Sequence, residues 1–286
     1  MNIKEKHPLL MKSVIVSCAG SLLLQLAAPA LAVDLSLPDP VGYTKRIVSD
    51  TIELPSHMAH WTPGQRWTAG GVVAATGLSL WLVDENIRDF NETHRNEFWR
   101  NVSWSSTHYG DYKYQVPIIG GLWLGGRLLE SPVLAKTAAD AGEASVIAAL
   151  IINPTLCFIT GRALPSAHED ASKFVPLRLG RYSFPSGHTS AAFALASVLD
   201  IDLRPVFGYY HTPVVYGLAL GVAHSRMYDA KHYLSEVILG GAIGWAVGTW
   251  IASKDRGPGG VAGKTVKEPA VSFAPSLNGL TASVKF

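Results

Sequence analysis

The chain alternates between apolar runs and polar segments. Beyond the N-terminal region, apolar runs occupy residues 67–83, 116–124, 138–160, 189–199, 213–224 and 234–252. The longer runs approach the length of roughly 20 residues that a helix needs to cross a bilayer, and the shorter ones fit buried helices. We therefore predict helices at these positions, as membrane spans or as the core of a helical bundle.

The N-terminus has the pattern of an export signal. Three lysines precede an uncharged run over residues 13–32, which ends in Ala-Leu-Ala. This order predicts a signal peptide over residues 1–32 that is removed before Val33. The alternative is a retained membrane anchor, because the run is long enough to span a bilayer. After removal, Cys157 is the only cysteine in the sequence, which excludes an intrachain disulfide.

Two internal segments carry patterns that predict how helices pack. Residues 84–114 are polar but have apolar side chains at helical spacing, which predicts an amphipathic helix on a membrane surface or on the helical core. The last apolar run predicts close helix–helix contact, because small residues let backbones approach. Its glycines are Gly240, Gly241, Gly244 and Gly248.

The C-terminal region, residues 253–286, differs from the rest of the chain. A linker rich in Gly, Pro and Lys covers residues 254–268, and apolar residues alternate with polar ones around Asn278-Gly279. An Asn-Gly pair flanked by alternating residues predicts a β-hairpin. Because an isolated hairpin is not stable in water, we expect it to dock on another part of the protein.

Composition narrows the class of protein. Hydrophobic residues make up 48% of the chain and charged residues 16%, with a mean hydropathy of +0.19. Such a low charged fraction favours a membrane protein or a helix-rich buried core. The net charge of +2 gives no basic excess, so a nucleic-acid partner is not predicted.

Two short strings carry the candidate chemistry: FPSGHT at residues 184–189 and SRMYDAKHYLSE at residues 225–236. A Pro-Ser-Gly turn followed at once by a helix leaves backbone N–H groups beside His188, which is a natural anion site. If the next helix starts near residue 229, His232 and Glu236 share one face, so the carboxylate can orient the imidazole. With Arg226, these groups suit phosphoryl transfer.

The two strings resemble the type 2 phosphatidic acid phosphatase family, which shares a superfamily with the vanadium haloperoxidases. Its pattern is Lys-x6-Arg-Pro, then Pro-Ser-Gly-His, then Ser-Arg-x5-His-x3-Asp. The second part is matched in full, and the third is matched with Glu236 in place of Asp. The first part is eroded, because Cys157 and Leu164 stand where the family has its lysine and arginine. The resemblance covers residues 144–250.

The resemblance implies an all-α fold, a bundle of about six helices over residues 33–252 with both strings at one end. In that family's mechanism His232 attacks phosphorus, His188 protonates the leaving alkoxide, and Glu236 fixes the tautomer of His232. No metal or other cofactor is implied. The phosphate-binding groups expected from this alignment, with Arg162 as a substitute for the missing cations, are Arg226, Ser186, Gly187 and Arg162.

Three functional hypotheses follow. The first is a phosphatase that hydrolyses a lipid phosphate or pyrophosphate at the cell envelope. The second, from the same fold, is a haloperoxidase that uses bound vanadate, although this chain is short of the cations expected around such a site. The third is a catalytically impaired relative that binds lipid headgroups. The predicted partners are therefore a lipid phosphate and a membrane, and neither the individual substrate nor an oligomeric state is predicted.

The predicted topology contains a conflict. A cleaved signal peptide puts residue 33 outside the cytoplasm, and three spans before residue 161 would then put the two strings inside. The resemblance implies the outer face. The conflict disappears if residues 116–128 do not cross the membrane, which also leaves the C-terminal lysines inside, or if the helices form a soluble periplasmic bundle. We predict an exported bacterial envelope protein in the inner membrane, with its site facing the periplasm.

Overall fold

The computed structural model describes residues 39–180, 183–254, 270–276 and 279–285, with side chains up to residue 254. The predicted signal peptide and the Gly/Pro/Lys-rich linker lie outside these ranges. The helices are α1 (Pro40–Ala59), α2 (Pro63–Leu82), α3 (Asp84–Thr93), α4 (Glu97–Thr107), α5 (Tyr112–Leu128), α6 (Pro132–Ser145), α7 (Asn153–Thr160), α8 (Gly187–Asp202), α9 (Arg204–Phe207), α10 (Thr212–Tyr228) and α11 (Leu234–Lys254).

The all-α class is confirmed for residues 39–254, whereas the predicted number of about six helices is not confirmed. The polar segment 84–114 forms two short helices, α3 and α4, and a 3-10 turn at His108–Gly110 before α5 begins. It therefore lacks the single amphipathic helix that its apolar spacing predicts.

Local sequence explains where several helices begin. α1, α2 and α6 each start with a proline, whose fixed φ suits the first helical turn and whose missing N–H needs no partner there. The residue before each proline caps the turn. Asp39 accepts from the N–H of Val41, Ser131 from that of Leu134, and Thr62 forms a reciprocal capping box with Gln65.

α8 and α11 form the centre of the bundle and pack at backbone contact. Gly240, Gly244 and Gly248 recur every four residues along one face of α11. A Cβ at Gly244 would lie 2.1 Å from the carbonyl oxygen of Ser190, and one at Gly248 would lie 2.5 Å from that of Ala194. The predicted close contact is therefore confirmed, and it brings the starts of the two helices together.

Two helices of the described residues are long and apolar enough to cross a membrane. One is Leu234–Lys254, and the other is Pro132–Thr160, in which the π-helical segment Val146–Ile152 joins α6 to α7. Apolar side chains also lie exposed on the outer surfaces of α2, α5 and α10, including Trp67, Trp81, Leu82, Val116, Leu128, Val214 and Leu220.

α1 is attached to the bundle through polar contacts at the end opposite the two strings. The Tyr43 hydroxyl donates to the carbonyl of Ala139 at 2.7 Å, and Arg46 pairs with the buried Asp140 at 2.7 Å. Lys254 at the end of α11 pairs with Glu53 at 2.6 Å. These contacts join α1 to α6 and to the end of α11.

Strands β1 (Ala270–Ser276) and β2 (Gly279–Lys285) pair antiparallel, with Ala270 opposite Lys285 and Ser276 opposite Gly279. The stable hairpin and its docking on another part of the protein stay predictions.

The contact between α8 and α11 generates a stability prediction. We expect Gly244→Ala to lower the free energy of unfolding by about 1–3 kcal/mol, because the added Cβ must push two backbones apart. Gly77→Ala in α2 is the matched control, since a Cβ at this position would have no described atom within 4 Å and alanine favours a helix. Thermal unfolding followed by circular dichroism checks both, and equal midpoints for native protein and Gly244→Ala would contradict the prediction.

Candidate active site

The two strings meet at one end of the bundle. The first leads into α8, which begins at Gly187, and the second connects α10 to α11, which begins at Leu234. The N–H of Ser186 donates to the backbone carbonyl of Glu236 at 3.1 Å, so the starts of α8 and α11 are joined directly. This arrangement places His188 and His232 on neighbouring elements.

His232 is held in a defined orientation. Its Nδ1 lies 2.9 Å from Oε2 of Glu236 and 2.9 Å from the carbonyl oxygen of Ser183. Both neighbours are hydrogen-bond acceptors, so the proton of the neutral ring belongs on Nδ1. Nε2 then keeps a lone pair, as a nucleophilic imidazole requires.

The pairing of His232 with Glu236 has a different structural origin from the predicted one. The helix begins at Leu234 rather than near residue 229, and Ala230 adopts a φ of 51° before it. His232 therefore precedes α11. Glu236 reaches back across the first turn and accepts from the N–H of Tyr233 at 3.1 Å, as the acidic residue of a capping box does. The same carboxylate meets the imidazole at this turn.

Glu236 is completely buried, and its carboxylate is surrounded by donors. Oε2 accepts from the Ser183 hydroxyl at 2.6 Å, and Oε1 accepts from Nη1 of Arg162 at 3.0 Å. A buried carboxylate is stable as a charged group only when a cation and hydrogen bonds compensate for its lost hydration. Arg162 supplies that cation.

Arg162 is 1% exposed, and its donors are taken up inside the protein. Nη2 donates to Oδ2 of Asp84 at 2.8 Å, and Nε donates to the carbonyl of Ala171 at 2.9 Å. The ring of Tyr233 lies 4.1 Å from the guanidinium carbon. The predicted phosphate-binding role of Arg162 is disfavoured by this geometry, because the side chain is directed at two carboxylates rather than at an open site.

Asp84 is an essential member of this group that the motifs do not reveal. Besides Arg162, it accepts from the Ser79 hydroxyl at 2.9 Å and from the N–H of Ser235 at 2.9 Å. The second contact satisfies a free donor in the first turn of α11. The only signal in the sequence is position, since Asp84 is the first charge after the apolar run 67–83. A continuous series of contacts therefore links Asp84, Arg162, Glu236 and His232.

Of the two eroded positions, Cys157 has a structural role and Leu164 does not show one. Cys157 is 2% exposed, and its Sγ lies 3.6 Å from the carbonyl oxygen of Pro185. Asn153, one turn earlier on α7, donates to the same carbonyl at 2.8 Å. Both residues thus hold the turn before α8. Leu164 is 38% exposed and supplies no charge.

The remaining predicted phosphate-binding residues are Arg226, at the end of α10, and Ser186 and Gly187, directly before His188. Arg226, at the end of α10, donates to the Thr107 hydroxyl and lies 3.4 Å from Asp229. The Ser186 hydroxyl lies 2.9 Å from that of Thr189, and among the described residues no side chain caps the first turn of α8 at Gly187. The N-terminus of α8 is therefore able to present backbone N–H groups to an anion.

The pKa of His188 is lowered to about 4, chiefly by burial and then by the neighbouring Arg226 and His232. Asp111 opposes this shift. His188 belongs to neither of the two helices that are long and apolar enough to cross a membrane. The imidazole is consequently neutral at neutral pH until an anion enters the site.

A gap too small to admit a water molecule lies beside His232. Its walls come from the loop and helix of the second string, through Met227 and Tyr233, and from α3, through Ile87, Arg88 and Asn91. α3 lies outside the region that carries the motifs, so the sequence gives no indication that it reaches the site.

The region that contains both strings is similar to known proteins. Residues 143–256 match the family model of the PAP2 superfamily. A lipid A 1-phosphatase of Porphyromonas gingivalis is 26% identical over 188 residues, covering 63% of this chain and 37% of the relative. A lipid A 4′-phosphatase of the same organism is 32% identical over 94 residues, covering 32% of this chain and 39% of the relative. The chain thus spans less than two fifths of the length of these relatives.

Two solved structures are also similar. The crystal structure of Aquifex aeolicus LpxE is 17% identical with a TM-score of 0.44, over 59% of this chain and 94% of that one. A transmembrane PAP2-type phosphatidylglycerolphosphate phosphatase from Bacillus subtilis is 19% identical with a TM-score of 0.43, over 77% and 96%. The complete Pro-Ser-Gly-His string and the Ser-Arg-x5-His string both lie inside residues 143–256, the part of this chain that matches the PAP2 superfamily model.

Proposed function

We propose that this protein is a phosphatase that hydrolyses a lipid phosphate or pyrophosphate through a phosphohistidine intermediate. The observation that carries the proposal is the imidazole of His232, whose Nδ1 faces the Glu236 carboxylate and the Ser183 carbonyl at 2.9 Å each. A histidine fixed in this way has one free nitrogen, Nε2, with which to attack phosphorus.

The reaction has two steps. Nε2 of His232 forms a bond to phosphorus as the bond to the lipid oxygen breaks, and His188 gives that oxygen a proton. Water then attacks the phosphohistidine with His188 as the base, the P–N bond breaks, and inorganic phosphate leaves. Glu236 stabilises the imidazolium that develops on His232. Arg226 and the N-terminus of α8, at Ser186 and Gly187, hold the phosphate oxygens.

His188 must be protonated to act as the acid, although its pKa is about 4 in the empty site. A phosphate dianion beside the ring favours the charged form and so raises this pKa. Substrate binding above pH 5 therefore brings a proton to His188. The phosphate of the substrate thus promotes the protonation of His188, the acid that the reaction requires.

A lipid substrate fits the surface of the protein. Two helices are apolar enough to cross a membrane, and large apolar side chains lie exposed on α2, α5 and α10. Such surfaces are unusual in soluble monomers and suit contact with acyl chains. The known relatives act on lipid A. We propose an envelope location with the site facing the periplasm, with a soluble periplasmic bundle as the alternative.

A second function is favoured by the erosion of the first motif. With Cys157 and Leu164 in place of the family cations, the site has lost two charges that hold phosphate. A relative that binds a lipid headgroup without hydrolysing it would tolerate this loss. Phosphate release from a lipid phosphate separates this alternative from the phosphatase.

The first test concerns the nucleophile. We expect His232→Ala to abolish phosphate release while the protein stays folded, because the attacking nitrogen is lost with the ring. In native protein, rapid quench with ³²P-labelled lipid phosphate should trap an acid-labile, base-stable phosphoenzyme. Substantial turnover by His232→Ala would remove His232 from this role, and absence of turnover in native protein would favour the headgroup-binding alternative.

The second test concerns Glu236. Glu236→Gln should reduce kcat about a hundredfold or more with little change in KM, because the amide no longer stabilises the imidazolium. Glu236→Asp, which keeps the charge and is the residue usual in the family, is the matched control and should retain activity. Steady-state kinetics on a chromogenic phosphomonoester measure both. Full activity in Glu236→Gln would show that the carboxylate is only structural.

The third test uses the pKa of His188. In ligand-free protein, an NMR titration of the ring should give a midpoint near 4, because burial disfavours the imidazolium. Saturating inorganic phosphate should raise the midpoint, so that binding takes up a proton between the two values. His188→Asn assigns the resonance. An ordinary midpoint of about 6.5 in the ligand-free protein would contradict this assignment of roles.

A further inference from the structure

The charges that lead from Asp84 to His232 alternate in sign. The carboxylates of Asp84 and Glu236 lie on either side of the Arg162 guanidinium, at 2.8 and 3.0 Å. All three side chains are at most 1% exposed, so solvent screens these charges very little and each acts on the next. A change of charge at Asp84 is therefore expected to reach His232, although Arg162 and Glu236 lie between them.

The guanidinium of Arg162 is enclosed by groups that direct it at the two carboxylates. Three aromatic rings lie within cation–π distance of its carbon, those of Tyr233 at 4.1 Å, Phe174 at 5.6 Å and Phe184 at 5.9 Å. Its Nη1 also donates to the hydroxyl of Ser235 at 2.9 Å. Arg162 is thus held as a fixed positive charge between two fixed negative ones.

The charge of Asp84 suits the chemistry proposed for His232. The imidazole becomes positively charged when its Nε2 forms a bond to phosphorus. One guanidinium and two carboxylates carry one net negative charge, which compensates for that imidazolium. Without the carboxylate of Asp84, Arg162 and Glu236 would neutralise each other, and the imidazolium would have no counter-charge. Asp84 therefore favours formation of the phosphohistidine.

Arg162 acts on the ring in the opposite direction. Without its positive charge, the buried carboxylate of Glu236 would need another cation, and the nearest group that can become one is the imidazole 2.9 Å away. A protonated imidazole carries hydrogen on both nitrogens, so Nε2 would have no lone pair. Arg162 thus keeps the nucleophile free before the reaction.

We propose that Asp84 is a positioning residue that acts through Arg162, and that these two side chains set the charge on the Glu236–His232 pair from opposite directions. Asp84 belongs to neither of the two strings and lies outside residues 143–256. The inference rests on the proposed function for the role of His232 as nucleophile. The effect on protonation of the ring needs no turnover.

The first readout is the protonation of the His232 ring, followed by ¹⁵N NMR in ligand-free protein. Asp84→Asn keeps the size of the side chain and should lower the pH at which the ring takes up a proton by about one unit, because a negative charge is lost. Arg162→Gln should raise this pH by about one unit. Arg162→Lys keeps the charge and should leave it close to the native value.

The matched control is Asp89→Asn, the same exchange on α3 at a side chain that is 61% exposed, and it should leave the protonation of the ring unchanged. Three other titratable groups interact electrostatically with Glu236 or His232, and none of the variants replaces them. They are Cys157, Tyr233 and His188.

The second readout is steady-state kinetics on a lipid phosphate. Asp84→Asn should lower kcat about tenfold with little change in KM, because Asp84 acts on the charge of the ring rather than on substrate binding. In Arg162→Gln the acid limb of the kcat/KM profile should move to higher pH, as the protonation of the ring does. Asp84→Asn should have little further effect in the Arg162→Gln background, because its path to the ring is lost.

Unchanged protonation of the ring in Asp84→Asn would overturn the proposal, even if kcat fell, because the role of Asp84 would then be only structural. An equal shift with Asp84→Asn in the presence and absence of Arg162 would overturn the path through Arg162. Shifts in the expected directions in a protein that releases no phosphate would support the charge coupling and count against the proposed phosphatase alone. If circular dichroism shows Arg162→Gln to be unfolded, the shift in Asp84→Asn decides.

Discussion

The site depends on keeping a carboxylate charged inside the protein. Glu236 has no contact with solvent, yet it must stay ionised to hold the imidazole of His232. Removing one partner of a buried ion pair lowers the free energy of unfolding by about 3–5 kcal/mol. Glu236 therefore requires the guanidinium of Arg162 beside it, and this requirement fixes the position of Arg162 as much as the surrounding helix ends do. Asp84 then balances Arg162 and fixes the first turn of α11. The buried charges, the start of α11 and the imidazole of His232 thus form one structural unit.

This arrangement explains how a PAP2 site can lack two family cations and keep its architecture. Cys157 and Asn153 meet the carbonyl of Pro185, so the turn that leads into α8 is held by neutral hydrogen bonds instead of by charge.

Sequence motifs were enough to predict that the loops bearing His188 and His232 converge, because the two strings match a pattern whose members act together. They could not reveal Asp84, which pairs with residues far along the chain and belongs to no motif. They also did not indicate that Arg162 is buried between Asp84 and Glu236, because closeness to a motif does not fix the direction of a side chain. The start of α11 was misplaced because the positive φ of Ala230 is not visible in the sequence.

Asp84 lies outside the region 143–256 that defines the family relationship, although it is bonded to two residues within it. The cluster around His232 and Glu236 therefore depends on a residue outside the matched region. A chimera that carries only residues 143–256 would contain His232, Glu236 and Arg162. Its Arg162 would then lack Asp84, one of its two carboxylate partners. Residue 84 is thus tied by direct hydrogen bonds to residues 162 and 235, which lie far from it in the chain.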